Sequence, residues 1–387
     1  MSETLSIDTL VVGGGVAGLF TLDALVRAGH AALLVEREAL GLGQTTSSQG
    51  ILHAGVKYAL GGVAGDDAQE AGAAAEMWRG MMCGEGAPDL RKVRVLAREE
   101  FMWRTAGLMG AAGMLGARMA LRTRPEVVGS ADRPVWLEGV RGDVLRLGET
   151  VIDPRDLLAR LADLHGGRLA LGEVQSIADG EVLVRTNSGA LSIRCRQVVL
   201  TAGEGNEALL AMAGLATTEP MQRRPLRQAM VRGALPMVFG HCIDGAKTRV
   251  TITSDTCPEG VVWHVGGELA EQGARQDEAT FLQRARTELA ACLPGADLRN
   301  AEWSSYPVQR AEPRTAGGRR PPSTHVRRHG ACVAVWPVKL VMAPRAAAQV
   351  VQACGAGSGR EVIWPAHVPA PPLAPRPWET AAWSRFE

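Results

Sequence analysis

The amino-acid sequence predicts an α/β protein in which a parallel-sheet, nucleotide-binding domain is joined to a second domain built on an antiparallel sheet. Three observations point there. The chain opens with an apolar strand, the glycine turn Gly13-Gly14-Gly15-Val16-Ala17-Gly18, an amphipathic helix and a second apolar strand that ends on an acid. Short alternating segments then lead to Val198-Val199-Leu200-Thr201-Ala202-Gly203, an apolar strand halting at small residues. Finally, β-rich stretches bounded by Asp, Pro and Gly occupy residues 225–270.

The first unit is read from its residues in order. Thr9 to Val12 form a buried strand, Leu19, Leu22 and Val26 give the next helix its apolar face, Gly29 stops it, and Ala31 to Val35 form the second strand before Glu36. Helical periodicity marks 67–83 and 98–120, and a further helix opens near Asp153-Pro154. Leu169 to Ile177, Glu181 to Thr186 and Leu191 to Leu200 read as strands of a small sheet returning to the nucleotide domain. In the second unit, Thr248 to Thr253 and Val261 to Val265 read as strands, 277–293 as a helix, and the arginine-rich sequence beyond it as irregular. A strand over Ala331 to Trp336 and a helix over Ala343 to Ala353 come last, and 364–387 is a Pro- and Trp-rich tail lying extended over the surface.

Bulk properties agree with two domains. The 387 residues are 46% hydrophobic, enough for a large core. Lys plus Arg (42) balance Asp plus Glu (41), which argues against nucleic acid as a partner. Seven scattered cysteines without a CxxC pair predict reduced thiols in a cytoplasmic protein, and the histidines show no metal spacing. There is no signal-peptide pattern and no apolar run of about 18 residues, so no transmembrane segment is expected.

The glycine turn carries a specific chemistry. Gly13 permits the tight turn, Gly15 lets backbone approach a pyrophosphate, and Gly18 lets helix and strand pack closely. Val16 and Ala17 open the helix, whose N–H groups and positive dipole end face the phosphates. Glu36, followed by Arg37, lies where ribose hydroxyls are bound. The acid is followed not by another regular βαβ unit but by a polar segment, Gln44 to Gln49, which suits an extended FAD better than NAD. The domain is thus a Rossmann-like FAD-binding domain.

The segment Thr45-Thr46-Ser47-Ser48-Gln49-Gly50-Ile51-Leu52-His53-Ala54-Gly55-Val56-Lys57-Tyr58 resembles the D-amino-acid oxidase (DAO) superfamily, nearest its glycerol-3-phosphate dehydrogenase/oxidase and L-2-hydroxyglutarate dehydrogenase branches. Thr201-Ala202-Gly203, Tyr306-Pro307-Val308-Gln309-Arg310 and Trp336-Pro337-Val338-Lys339-Leu340 are similar as well, so the likeness runs from about residue 8 to about 350. The chain departs from the glycerol phosphate branch in having Pro337-Val338 where those enzymes have Gly-Gly before the lysine. The resemblance implies a D-amino-acid oxidase (glutathione-reductase-2) type fold, with 1–80, 145–215 and 325–360 in the FAD-binding domain, 81–144 and 216–324 in the substrate domain, and 361–387 as a tail. It also implies that Thr45, Thr46, Ser47, Ser48, Gln49, Val174, Ala202, Gly203, Lys339 and Leu340 line the cofactor.

His53 is the candidate base, because an imidazole neutral near pH 7 can take the proton that leaves as hydride goes to flavin N5. A packing role against the flavin is the other reading. Lys57, Arg310 and Lys339 are candidates for an electropositive lining, with Arg310 as carboxylate or phosphate clamp and Lys339 at the flavin N1/O2 edge; each is equally open to a solvated role. Ser47-Ser48 lacks the GxSxG elbow of a nucleophile, and His241 and His264 are second-domain residues within possible reach of substrate. Trp78 and Trp103 read as core or subunit contacts and not as a cofactor box.

The expected function is an FAD-dependent dehydrogenase or oxidase acting on a small anionic CH–OH substrate, a 2-hydroxy acid or glycerol phosphate type, with oxygen, a quinone or a carrier protein as electron acceptor. The alternatives are an amine or amino-acid oxidase (CH–NH) of the same fold, and a non-catalytic flavin-binding subunit or sensor with Trp364, Trp378 and Trp383 as partner anchors.

Overall fold

The computed structural model describes residues 4–53, 66–106, 125–178, 180–216, 218–244, 247–321 and 323–386. Along the chain these form β1 (Thr4–Val12), α1 (Val16–Arg27), β2 (Ala32–Glu36), β3 (Ile51–Leu52), α2 (Asp66–Cys83), β4 (Val95–Ala97), β5 (Glu100–Trp103), β6 (Glu126–Val127), β7 (Val144–Leu147), β8 (Thr150–Ile152), α3 (Pro154–Leu164), β9 (Leu169–Leu171), β10 (Glu173–Ala178), β11 (Glu181–Thr186) and β12 (Gly189–Leu200). The second half adds α4 (Asn206–Met212), β13 (Met221–Gly233), β14 (Gly240–Asp244), β15 (Lys247–Cys257), β16 (Gly260–Gly266), α5 (Glu268–Gly273), α6 (Glu278–Cys292), β17 (Glu302–Pro313), β18 (His325–His329), β19 (Cys332–Trp336), α7 (Ala343–Cys354) and β20 (Ser384–Arg385).

The first sheet grows from β1. Both β2 and β12 pair with it in parallel, β9 follows β2, β19 follows β12, and β11 with β10 extend the antiparallel side. Because side chains alternate along a strand, Val11, Leu34, Val199 and Val333 point to the face covered by α1 and α7, while Leu10, Leu33, Val198 and Ala334 point to the other. That double burial is why these strands read as continuous apolar runs.

The second sheet runs in the order β20-β17-β13-β16-β15-β14-β5-β7-β6. Its longest pairing is β13 with β17, from Met221↔Pro313 to Arg232↔Glu302. One face carries Ala229, Val231, Ile252, Trp263 and Trp303 against Phe281, Leu282, Ala285 and Leu289 of α6. Gln228, His264 and Tyr306 lie on the opposite side and bond to one another or to the first unit.

Three local expectations are corrected. Within 98–120, Glu100–Trp103 is a strand and not helix, since Trp103 and Met102 pair with Val144 and Leu145; residues 107–124 lie outside the described set. The arginine-rich stretch taken as irregular contains the twelve-residue β17, whose charges are met across the strands by Arg224–Glu312 and Arg232–Glu302 pairs. The tail is not a loose surface strap or a free set of anchors. Trp364 is buried and donates from Nε1 to Leu34 O and Arg168 O, both at 3.1 Å, Trp378 packs edge-on against His264, and the Arg232 guanidinium stacks over Trp383. Trp78 and Trp103 are core residues, as read from sequence.

A close approach between two strands fixes β5 within the second sheet. At Gly240, φ is +152° and an added Cβ would sit 1.9 Å from Phe101 O, so only glycine lets β14 run beside β5. Gly240→Ala is expected to cost roughly 1–3 kcal/mol by separating these strands, read as a lower urea midpoint; a wild-type midpoint would show that the approach is not required.

Candidate active site

The N-terminal cradle is built by two glycines that pack and one that leaves room. Gly13 has φ +108°, and a Cβ there would lie 2.6 Å from Ala202 Cα; at Gly18 it would lie 1.9 Å from Gly13 O. These contacts press the turn onto Thr201-Ala202, where Thr201 Oγ1 donates toward Val12 O and Gly13 O at 2.9 and 3.0 Å. A Cβ at Gly15 would meet only Thr45 Oγ1, at 3.2 Å. The space above the α1 N-terminus is therefore the one a pyrophosphate needs, and the first turn holds no acidic side chain to repel it. Val16 N–H donates to Thr45 Oγ1 at 3.2 Å. Glu36 accepts Gly14 N–H at 2.6 Å and Glu38 N–H at 3.0 Å, which fixes its carboxylate at the end of β2. Arg37 is exposed beside it, Val174 is buried on β10, and Ala202 and Gly203 follow β12. The donor set and open cradle fit the ADP half of FAD.

The polar segment after Glu36 seals the two sheets together. Thr46 Oγ1 donates to Gly41 O at 3.1 Å, and Ser48 Oγ accepts Gly50 N–H at 3.3 Å, which shape the loop. Gln44 Oε1 accepts Ala311 N–H at 3.2 Å, and Ser47 O accepts from Gln228 Nε2 at 3.0 Å. Gln49 Nε2 donates to Thr251 O and His264 O, both at 2.9 Å.

His53 follows β3, which pairs antiparallel with β8 so that Leu52 faces Thr150. The next position opposite is Glu149, and His53 Nδ1 lies 3.0 Å from its Oε2. The His53 ring lies 5.6 Å from that of His241, whose Nδ1 is 2.8 Å from Thr251 Oγ1 and whose Nε2 is 3.7 Å from Glu100 Oε2. Glu100, Glu149 and His241 are fully buried and His53 half-buried. On β17, Tyr306 Oη donates to Gln228 Oε1 at 2.9 Å and lies 2.8 Å from His264 Nε2. Burial lowers the His264 pKa to about 4 and raises that of Tyr306, so both are neutral near pH 7.

The candidate cations are placed unevenly. Arg310 lies on the same face of β17 as Tyr306 and is partly buried; its Nη1 reaches Glu271 Oε1 at 3.1 Å. Burial and then the neighbouring Arg224 lower its pKa, whereas Arg224 itself is clamped by Glu312 at 2.6 and 2.9 Å. Lys339 and Leu340 are half-buried ahead of α7. Lys339 N–H donates to Pro337 O at 2.7 Å across Val338, whose φ is +67°. This is a tight turn that a β-branched residue adopts only under strain. Lys57 lies outside the described residues. Sequence reasoning missed Glu100, Glu149 and Gln228. No motif marks them, and only strand register brings them in.

An open helix-terminal cradle closed over by a second sheet is the architecture of an FAD-binding oxidoreductase. The DAO family, described as FAD dependent oxidoreductase, matches residues 8–332, and the chain belongs to it. The probable FAD-dependent oxidoreductase PA4991 of Pseudomonas aeruginosa is 40% identical over 391 residues, spanning 98% of this chain and 100% of that protein. Its crystal structure superposes with a TM-score of 0.81, at 36% identity over 98% of this chain and 99% of the other. Glycine oxidase from Geobacillus kaustophilus (TM-score 0.63, 17% identity, 90% and 95% covered) and L-α-glycerophosphate oxidase from Mycoplasma pneumoniae with FAD bound (0.64, 16%, 93% and 100%) share the fold.

Two outcomes are expected at this site. Gly15→Ala is expected to fold with an unfolding midpoint close to wild type, because its Cβ meets only the Thr45 hydroxyl, yet to lose FAD, read as the 450 nm absorbance per chain; full FAD retention would displace the pyrophosphate from Gly15. His264 gives a pH dependence. Its folded pKa of about 4 lies below the ordinary 6.5, so the unfolded chain binds the proton first and stability falls as pH drops from 6.5 towards 4. Urea titrations should show this slope reduced in His264→Asn, and an unchanged slope would exclude His264 as its source.

Proposed function

We propose that this FAD-dependent oxidoreductase oxidises a CH–OH group on a small anionic substrate of the 2-hydroxy acid or polyol phosphate class. The observation that carries the reading is the pairing of His53 Nδ1 with buried Glu149 at 3.0 Å. A carboxylate on one ring nitrogen orients the imidazole, so that the other nitrogen can take the hydroxyl proton. FAD, when bound, supplies the hydride acceptor. Arg310, with Lys57, would hold the substrate anion at a distance from Glu149 and Glu100, and Lys339 would offset negative charge at the reduced ring. Oxygen, a quinone or a carrier protein would then take the electrons.

One observation favours a second reading, oxidation of CH–NH. Two buried carboxylates, Glu100 and Glu149, stand beside His53, where a substrate ammonium would be welcome. Ammonia released on turnover would establish that reading over the first.

The test is anaerobic flavin reduction by a panel of 2-hydroxy acids, polyol phosphates and amino acids. With the best reductant, His53→Ala is expected to slow reduction by roughly 10²–10⁴-fold, with a smaller loss for Glu149→Gln. A loss below about tenfold in His53→Ala would reduce His53 to packing.

A further inference from the structure

His53, Glu100, Glu149 and His241 come from four separated segments, yet the register of three pairings forces them together. β3 on β8 sets His53 opposite Glu149, β5 on β7 sets Glu100 opposite Leu147, and β14 on β5 sets His241 opposite Met102. One ligand-capable atom from each of the four lies within 4.8 Å of every other. We propose that this group is a binding site for a divalent transition-metal ion, Zn²⁺ being the ion that two imidazoles and two carboxylates suit best.

The spacing brackets that of a coordination shell, one distance slightly short and one slightly long. Tetrahedral zinc with bonds of about 2.0–2.2 Å holds its ligand atoms roughly 3.3–3.6 Å apart. His53 Nδ1 and Glu149 Oε2 are 3.0 Å apart, and His241 Nε2 and Glu100 Oε2 are 3.7 Å apart. The second distance is too long for a ring N–H hydrogen bond, but it is close to the edge of a coordination shell. Orientation agrees: Thr251 Oγ1, 2.8 Å from His241 Nδ1, fixes that ring and turns Nε2 towards Glu100, as an outer hydrogen bond does for a metal-ligating histidine. Charge agrees too, because a divalent ion matches two carboxylates that are 0% and 1% exposed. A metal on His53 Nδ1 leaves Nε2 protonated, so the ring cannot take a substrate proton while the ion is bound. That last consequence alone rests on the reading of His53 as base: metal occupancy would hold the oxidoreductase off.

The experiment is metal analysis of the FAD-loaded protein, followed by calorimetric titration of the EDTA-treated holoenzyme with Zn²⁺. About one ion per chain is expected, with affinity lowered at least about tenfold by Glu100→Gln and His241→Ala while flavin content is kept. Should those variants fail to fold, Thr251→Val, which leaves all four ligands in place, is expected to weaken binding about tenfold. Absence of a binding heat, or variants that bind Zn²⁺ as the wild type does, would overturn the proposal. Neither result depends on turnover, so the role of His53 in flavin reduction is judged separately.

Discussion

Gln49 donates from a single amide nitrogen to two carbonyls on neighbouring strands, Thr251 O and His264 O. A side-chain amide that bridges β15 and β16 in this way ties the loop after β2 to the second sheet. Gln44 and Ser47 add bonds to Ala311 N–H and Gln228 on either side. Each such bond contributes about 1 kcal/mol, but their value lies in geometry. They carry the chain from the glycine cradle directly to β3, and from there to His53. Without that seam the nucleotide cradle and the polar cluster would be separate features of separate layers.

How much of this was legible depends on how local its cause is. The cradle was readable because its determinants, from Val12 to Glu36, sit within one βαβ unit, and the sterics at Gly13 and Gly18 leave few other residues possible. The strand at Glu100–Trp103 was not, because its apolar spacing also fits a helix and the deciding partner, Val144–Leu147, lies some forty residues on. β17 was hidden by its charged residues, because the arginines that pair with its acids Glu302 and Glu312 are Arg232 and Arg224, on the far earlier strand β13. Glu100 and Glu149 carry no signal of their own. Their meeting with His53 and His241 is a property of strand register.

The charges divide the site. Glu100 and Glu149 gather around His53 and His241, whereas Arg224 and Arg310 lie along β13 and β17 beyond Tyr306. His264 and Tyr306, bonded to each other, are kept neutral by burial. Such a layout keeps Glu100 on β5 and the two guanidinium groups on β13 and β17. It also means that Arg310, partly satisfied by Glu271, can bind an anion only by sharing or releasing that carboxylate.

The C-terminal segment contributes more than cover. Trp364 bonds the carbonyls of Leu34 in β2 and Arg168 ahead of β9, residues 372–374 bond to Leu40, and Arg376 joins Asp153 before Trp378 closes on His264. All of these C-terminal residues are synthesised after every strand of the two sheets except β20. On the ribosome the cradle at Gly13 to Gly18 therefore emerges well before its C-terminal neighbours, and the wall beside His264 is completed only when residue 378 has left the tunnel. The order of synthesis thus places the packing of Trp378 on His264 after the strands β1 to β19 have been made.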